Sequence, residues 1–338
     1  MTIKDIARLA GVSVSTVSRV LNNHPDVSAP IRAQVLAVVE EHHFIPNTAA
    51  RKLVQPQGNT IGVIRSGNGN PFYTPILSAI ESELYSRGYS MCMRQIHYSE
   101  DELTYAAQLE RAERLRGIIL LGGRFDYTVE MVAPLSVPFV CCTHTNLFGD
   151  LPQDRYSSVT IDDEEAAYRA VEFLYHLGHR SIALLLPSTN DHSLGELRFH
   201  GYCRALETFG LPFDPSLIGL CGSYGLADAY RATLALVGSG ASFTALFAIS
   251  DLLATAAIRA LHEKGLHVPR DCSVMGIDGL ELTEYILPPL TTLVQPAAEL
   301  GRQSVQLLSG LLDGGGEHRH ILLETDFRAG ASVAPPPR

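Results

Sequence analysis

Within the stretch VSVSTVSRVLNN, residues 12–23, Ser15, Ser18, Arg19 and Asn22 stand at i, i+3, i+4 and i+7. That spacing lines side chains along one face of a helix. The hydroxyls of Ser15, Thr16 and Ser18 can contact phosphate oxygens, and the Arg19 fork can reach guanine O6 and N7 in a major groove. Val14 can offer only an apolar contact, for instance to a thymine methyl. On a lone helix these residues would read as an ordinary solvated face, so the surrounding elements decide.

Thr2 followed three residues later by Asp5 is a capping box, and Ile3, Ile6, Ala7 and Ala10 recur at helical spacing until Gly11 supplies a C-cap. Ser13 can cap a second helix, whose inward stripe is Val17, Val20 and Leu21. Only Gly11, Val12 and Ser13 separate the two, the tight turn of a helix-turn-helix. A third helix over about residues 29–42 offers Ile31, Val35, Val38 and Val39 to close a three-helix core. Turn, spacing and core together point to a DNA-reading helix.

Downstream, IPNTAARKLVQPQGNT holds a helix of about two turns that starts at Pro46 and Asn47 and ends before Pro56. It is too short to be stable alone in water. Leu53 follows Arg51 and Lys52, and a leucine on a basic helix that folds on contact can wedge into a minor groove; packing against a neighbouring domain is the plainer alternative.

The net charge of −10 argues against nucleic acid only as an average. Residues 1–58 carry six basic and four acidic side chains, whereas the remainder carries 20 basic and 32 acidic ones. A mildly basic head on an acidic body is the asymmetry of a small DNA-binding module attached to something else. At 338 residues and 46% hydrophobic content the chain suits two or three globular units. No run approaches the roughly 18 apolar residues of a membrane span, and MTIKDIARLA lacks the layout of a signal peptide, so a cytoplasmic location is expected. The six cysteines form no C-x-x-C pair and read as small buried hydrophobes; neither a metal site nor a cofactor is expected.

From Asn59 onward, apolar runs alternate with amphipathic stretches, as parallel α/β sheets require. TIGVIRS, YSMCMRQ, GIILLGG, PFVCCTH and SSVTIDD are the strands of one doubly wound unit, with a helix over residues 101–115 started by Ser99 and Glu102. SIALLLP, SLIGLCG, ALFAIS and CSVMGID repeat the design. Two such units in tandem point to a bilobed binding protein, and ligands in open α/β sheets lie beyond the carboxyl ends of the strands. Phe72 and Tyr73, Thr143, Asp162, Tyr224, Ser250, Asp251 and Asp278 all follow strands. Aromatic faces with carboxylates and hydroxyls suit a hydroxylated or planar small molecule, although Asp162, Ser250 and Asp278 could each simply cap the next helix or turn.

These residues resemble the LacI/GalR family of transcriptional regulators. TIKDIARLAGVSVSTVSRVLNN resembles its headpiece, PNTAARKL its hinge helix, and NPFYTPILSAIE, LGHRSIALL, VPRDCSVMGIDG and PPLTTLVQPAAELG its body. The resemblance implies an α/β fold: a three-helix helix-turn-helix head on a bilobed, periplasmic-binding-protein-like body of two doubly wound parallel sheets. The expected divisions are 1–45 for the head, 46–58 for the hinge, 59–161 with 291–319 for the first lobe, and 162–290 with 320–333 for the second.

It also implies a homodimeric repressor that binds a pseudo-palindromic operator and responds to an effector, a sugar or related metabolite, between the lobes. Leu53 falls on the family's intercalating leucine, Val14, Ser15 and Arg19 on its base-reading positions, Arg198 and Asp278 on its effector-contacting arginine and aspartate, and Tyr224 on an aromatic platform. Ser250 stands where many relatives have Asn, Thr143 where some have Asp and Gly279 where an acid or amide is common. A relative's effector therefore does not carry over.

Two other classes share parts of this pattern: a small-molecule binding protein, which has no use for the head, and an α/β enzyme acting on a sugar or nucleotide. No G-x-S-x-G, H-E-x-x-H, Walker or G-x-G-x-x-G motif supports an enzyme. The tail ASVAPPPR offers no heptads for a tetramerising coil, so a dimer is expected.

Overall fold

The computed structural model describes residues 1–21, 26–42, 44, 58–67, 69–97 and 100–337. Asn22, Asn47, Leu53 and the hinge helix expected within 46–58 lie outside them. The chain divides into two units, Met1–Gly58 and Asn59–Arg338.

The first unit is built on α1 (Ile3–Leu9), α2 (Val14–Leu21) and α3 (Ala29–Glu41). Both arms of the Thr2–Asp5 capping box are present, and Ser13 Oγ accepts from Thr16 N at 3.1 Å to cap α2. Gly11 turns the chain with φ +60°, in the left-handed region that glycine occupies without strain. Ile6, Ala7, Ala10, Val17, Val20 and Val35 form the buried core, with Val38, Val39 and Phe44 packed against it. Ile31 departs from expectation: at 36% exposure it lies outside this core, on the first turn of α3.

The second unit contains two six-stranded sheets. The first takes β1 (Thr60–Ser66), β2 (Ser90–Ile96), β3 (Gly117–Leu121), β4 (Phe139–Cys142) and β5 (Ser157–Ile161), with α4 (Tyr73–Ser86), α5 (Glu102–Glu113) and the short α6 (Val129–Val132) between them. Next come α7 (Asp163–His176), β6 (Ile182–Leu186), α8 (Leu194–Thr208), β7 (Ile218–Leu220), α9 (Leu226–Gly238), β8 (Ala245–Ala248), α10 (Asp251–Glu263), β9 (Ser273–Asp278) and β10 (Thr291–Val294). The chain ends with α11 (Ala297–Leu312), β11 (His320–Leu323) and β12 (Asp326–Arg328). GIILL in β3 and IALLL in β6 are buried throughout, as central strands covered by helices on both faces must be. The helix after β2 is capped by Asp101, whose Oδ1 accepts from Leu103 N and Thr104 N; Ser99 lies outside the described residues.

The lobe boundaries need correction at the C-terminal crossings. The strand orders are β11-β5-β4-β3-β1-β2 and β12-β10-β9-β8-β6-β7. β10, expected in the first lobe, pairs in parallel with β9, and β11, expected in the second, pairs in parallel with β5. Between them α11 packs Leu300, Val305 and Leu308 into the first lobe's core, and β12 then adds antiparallel to β10. The chain therefore passes between lobes near residues 162, 295 and 324. Strands of three or four residues have too little pattern to specify which sheet they join.

Candidate nucleic-acid interface and effector cleft

On α2 the apolar stripe is buried and the face that bears Ser15 and Arg19 is open. Val14 is 41% exposed, Ser15 and Arg19 are exposed, and Thr16 and Ser18 are half-buried. Ser13 Oγ lies 2.7 Å from Ser15 Oγ and 2.8 Å from Thr16 Oγ1, so three hydroxyls cluster where α2 begins and its amides face outward. Ser13 caps α2 and touches the hydroxyls of Ser15 and Thr16; its capping role was readable in the sequence, but its contact with Ser15 was not.

In the body, Asp278 and Arg198 are electrostatic neighbours, and each is almost fully buried. Arg198 donates through Nε to Asp163 Oδ1 at 2.9 Å and through Nη1 to the Ile249 carbonyl, while Nη2 lies 2.7 Å from the same carboxylate. Burial opposes its charge, but Asp163 and Asp278 outweigh that and raise its pKa. Asp278 accepts from Gln295 Nε2 at 2.9 Å through one oxygen, and its other oxygen is buried without a hydrogen bond. Burial pushes its pKa up to about 7, with Asp251 adding repulsion and Arg198, Gln295 and Asn70 pulling the other way.

Tyr73, which opens α4 in the first lobe, feels this second-lobe carboxylate: burial and then the charge of Asp278 push its pKa up to about 12. Tyr224, after β7, has a buried hydroxyl without a partner, and Arg198 and Tyr73 are among its electrostatic neighbours. A cluster drawn from both lobes thus forms where β1, β7 and β9 end. Asp278 at φ +144° holds strained backbone there, and Thr143, just after β4, has φ +74°. Phe72 is buried in the first lobe's core and meets Tyr73 at 5.7 Å between ring centroids.

Three of the residues expected at the cleft hold local structure. Asp251 has both oxygens occupied, Oδ2 accepting from Gly279 N at 2.9 Å and Leu280 N at 2.8 Å, and Oδ1 from Thr292 Oγ1 at 2.5 Å. It fixes the turn that carries Asp278. Ser250 caps α10 by accepting from Leu253 N, and Asp162 caps α7 by accepting from Glu165 N. The capping alternative therefore describes Asp162 and Ser250, whereas Asp278 caps nothing. Sequence reasoning missed Asp163, Asn70 and Gln295, and also Phe148 and His192, whose rings meet across the lobes at 4.7 Å.

Residues 2–47 match the family described as bacterial regulatory proteins, lacI family, and residues 171–333 match the periplasmic binding protein-like domain. HTH-type transcriptional regulator MalR of Clostridium butyricum is 37% identical over 329 residues, 97% of each chain. The chain belongs to the lacI family. Among solved structures, this lacI-family protein is similar to the lac repressor dimer bound to operator and the anti-inducer ONPF, with TM-score 0.79, 28% identity and 99% of both chains covered. It is also similar to the transcriptional regulator CelR in complex with cellobiose, with TM-score 0.73, 29% identity and coverage of 98% of this chain and 99% of that one. The lacI-family chain is a DNA-binding transcriptional regulator that joins a helix-turn-helix head to an effector-binding, periplasmic-binding-protein-like body. No helix among the described residues is long and apolar enough to cross a membrane.

Proposed function

We propose that this regulator is a cytoplasmic repressor that acts as a homodimer on a pseudo-palindromic operator, under the control of a carbohydrate held between the lobes. Two-fold symmetry in the protein matches two-fold symmetry in the site. Val14, Ser15 and Arg19 of each head read base edges while Thr16 and Ser18 hold phosphates. Asn22, Asn47 and Leu53 keep the DNA-contacting roles implied by family resemblance, with Leu53 as the wedge.

The observation that carries the effector reading is the meeting of Tyr73, Arg198, Tyr224 and Asp278 between the lobes, with a carboxylate oxygen and a phenol left unpartnered. Two rings to stack on and a free acceptor suit a hydroxyl-rich ligand. No catalytic step is proposed. A constellation that looks catalytic, Glu102 to Tyr127 to His144, is closed off from water, and burial lowers the His144 pKa to about 4. The test is a gel shift on the operator recovered by genomic selection, with and without the effector found by a thermal-shift screen. Asp278→Asn and Tyr224→Phe are expected to keep operator affinity and lose the effector response. An unchanged response in both removes the proposed site.

A further inference from the structure

Arg65 stands at the end of β1, paired in register with Leu121 of β3 and Gln95 of β2. The strand before it, from Ile61 to Ile64, is core. Alternation puts Arg65 on the same side as Val63, and its guanidinium carbon lies 5.4 Å from the centre of the Tyr73 ring. Its Nε is buried without a hydrogen bond, and among the described residues no carboxylate lies within salt-bridge distance of it. The other arginines near the cleft differ in having a carboxylate partner, although Arg328 Nε is likewise buried without a hydrogen bond. Arg198 is held by Asp163, Arg328 by Glu284 and Thr283, and Arg124 by Asp126.

We propose that Arg65 receives an anionic group on the effector, so that the ligand is an anionic carbohydrate, a sugar phosphate or a sugar acid, with its hydroxyls toward Asp278. This rests on the effector-binding reading above. A guanidinium held over an aromatic face by a cation–π contact has no acceptor there for its N–H groups, which stay available to a ligand. Those groups match the oxygens of a phosphate or carboxylate, which form stronger hydrogen bonds with them than a sugar hydroxyl does. A neutral sugar would leave the partly buried charge without a counter-ion, which is unfavourable. The free oxygen of Asp278 calls for a donor and so takes a hydroxyl, not the anion. The two orphaned groups thereby set opposite ends for the ligand.

The experiment is calorimetry on the full-length protein with ribose, ribose 5-phosphate, glucose, glucose 6-phosphate, glucuronate and inorganic phosphate. An anionic sugar is expected to bind at least about tenfold more tightly than its neutral counterpart. Comparing glucuronate with the phosphates separates the two sources of charge. Arg65→Met, which keeps an apolar stem against Tyr73, is expected to abolish that preference at an unchanged melting temperature while altering neutral-sugar binding by less than about twofold. Neutral sugars binding as tightly as their anionic forms, no binding by any anionic sugar, or equal losses of both classes in Arg65→Met overturn the inference. If instead Asp278→Asn binds every ligand as the unaltered protein does, the cleft reading itself fails, whatever Arg65 does.

Discussion

The head and the cleft recognise their partners under opposite physical conditions. On α2 the reading groups are exposed, and the hydroxyl contacts at its start reach no further than three residues along the chain, from Ser13 to Ser15 and Thr16. In the cleft the charged groups are buried, and their partners come from far away: Arg198 reaches Asp163 across 35 residues and Ile249 across 51. A surface reader rests on a core that does not need it, so it can be altered at little structural cost. A cleft residue is part of what holds its lobe together, so altering it tests fold and function at once.

The largest expected effect comes from that difference. Arg198→Met leaves Asp163 as a buried charge without its partner and should destabilise the body by ~3–5 kcal/mol in chemical denaturation. Replacing both residues, Arg198→Met with Asp163→Leu, should recover most of the loss. A single variant as stable as the parent would show that the pair is not structural and would weaken the contrast with the head.

Asp278 comes next. Its folded pKa, raised to about 7, lies above the ordinary aspartate value of 3.8, so between those limits the folded state binds more protons than the unfolded one. Its contribution to stability therefore falls as pH rises from about 4 to about 7 and stays low above that. Asp278→Asn removes the buried charge and should be more stable than the parent by ~1–3 kcal/mol at pH 8, with the difference vanishing near pH 4. Melting curves across that range check it, and a difference independent of pH would mean that the carboxylate is well solvated.

The same contrast explains what could be read without a structure. The head was legible almost in full, because a cap, a Gly turn and apolar stripes at helical spacing are local signals; Ile31 was misplaced because it is apolar at the edge of its stripe. Strands such as GIILL were equally plain, whereas the four residues of β10 and of β11 contain nothing that names their sheet. In the cleft, Arg198 came from family resemblance and Asp278 also from its place after a strand, but Asp163 is one of four consecutive acids at 162–165, and only packing decides which of them turns inward. Asp251 and Asp278 looked alike as acids after strands; the difference is that the first meets three donors and the second one. Arg65 did leave a signal, a charge interrupting the apolar run TIGVIRS.

For the head, Arg19→Ala should weaken operator binding by ~1–3 kcal/mol and relax the preference at one base position, with no change in melting temperature. Fluorescence anisotropy on the operator and on single-base variants measures both. A uniform loss across all sequences would make Arg19 a phosphate contact instead of a base reader.

The smallest effect concerns the cap beneath the reading face. Ser13→Ala removes the acceptor for Thr16 N and should cost α2 ~1 kcal/mol, seen as faster hydrogen exchange of the α2 amides in the full-length protein. Operator affinity should change little, since the folded head still presents Ser15 and Arg19. Ser15→Ala should do the reverse, leaving exchange unaltered and lowering affinity. Ser13→Asp separates the two roles most sharply, because aspartate restores the cap and suits the positive end of the helix, yet its charge repels a nearby phosphate. Exchange protection should return, while operator affinity falls below that of the parent by a margin that grows as salt is lowered. Recovery of both would mean that no phosphate approaches the start of α2, and the reading face would have to be sought elsewhere on the head.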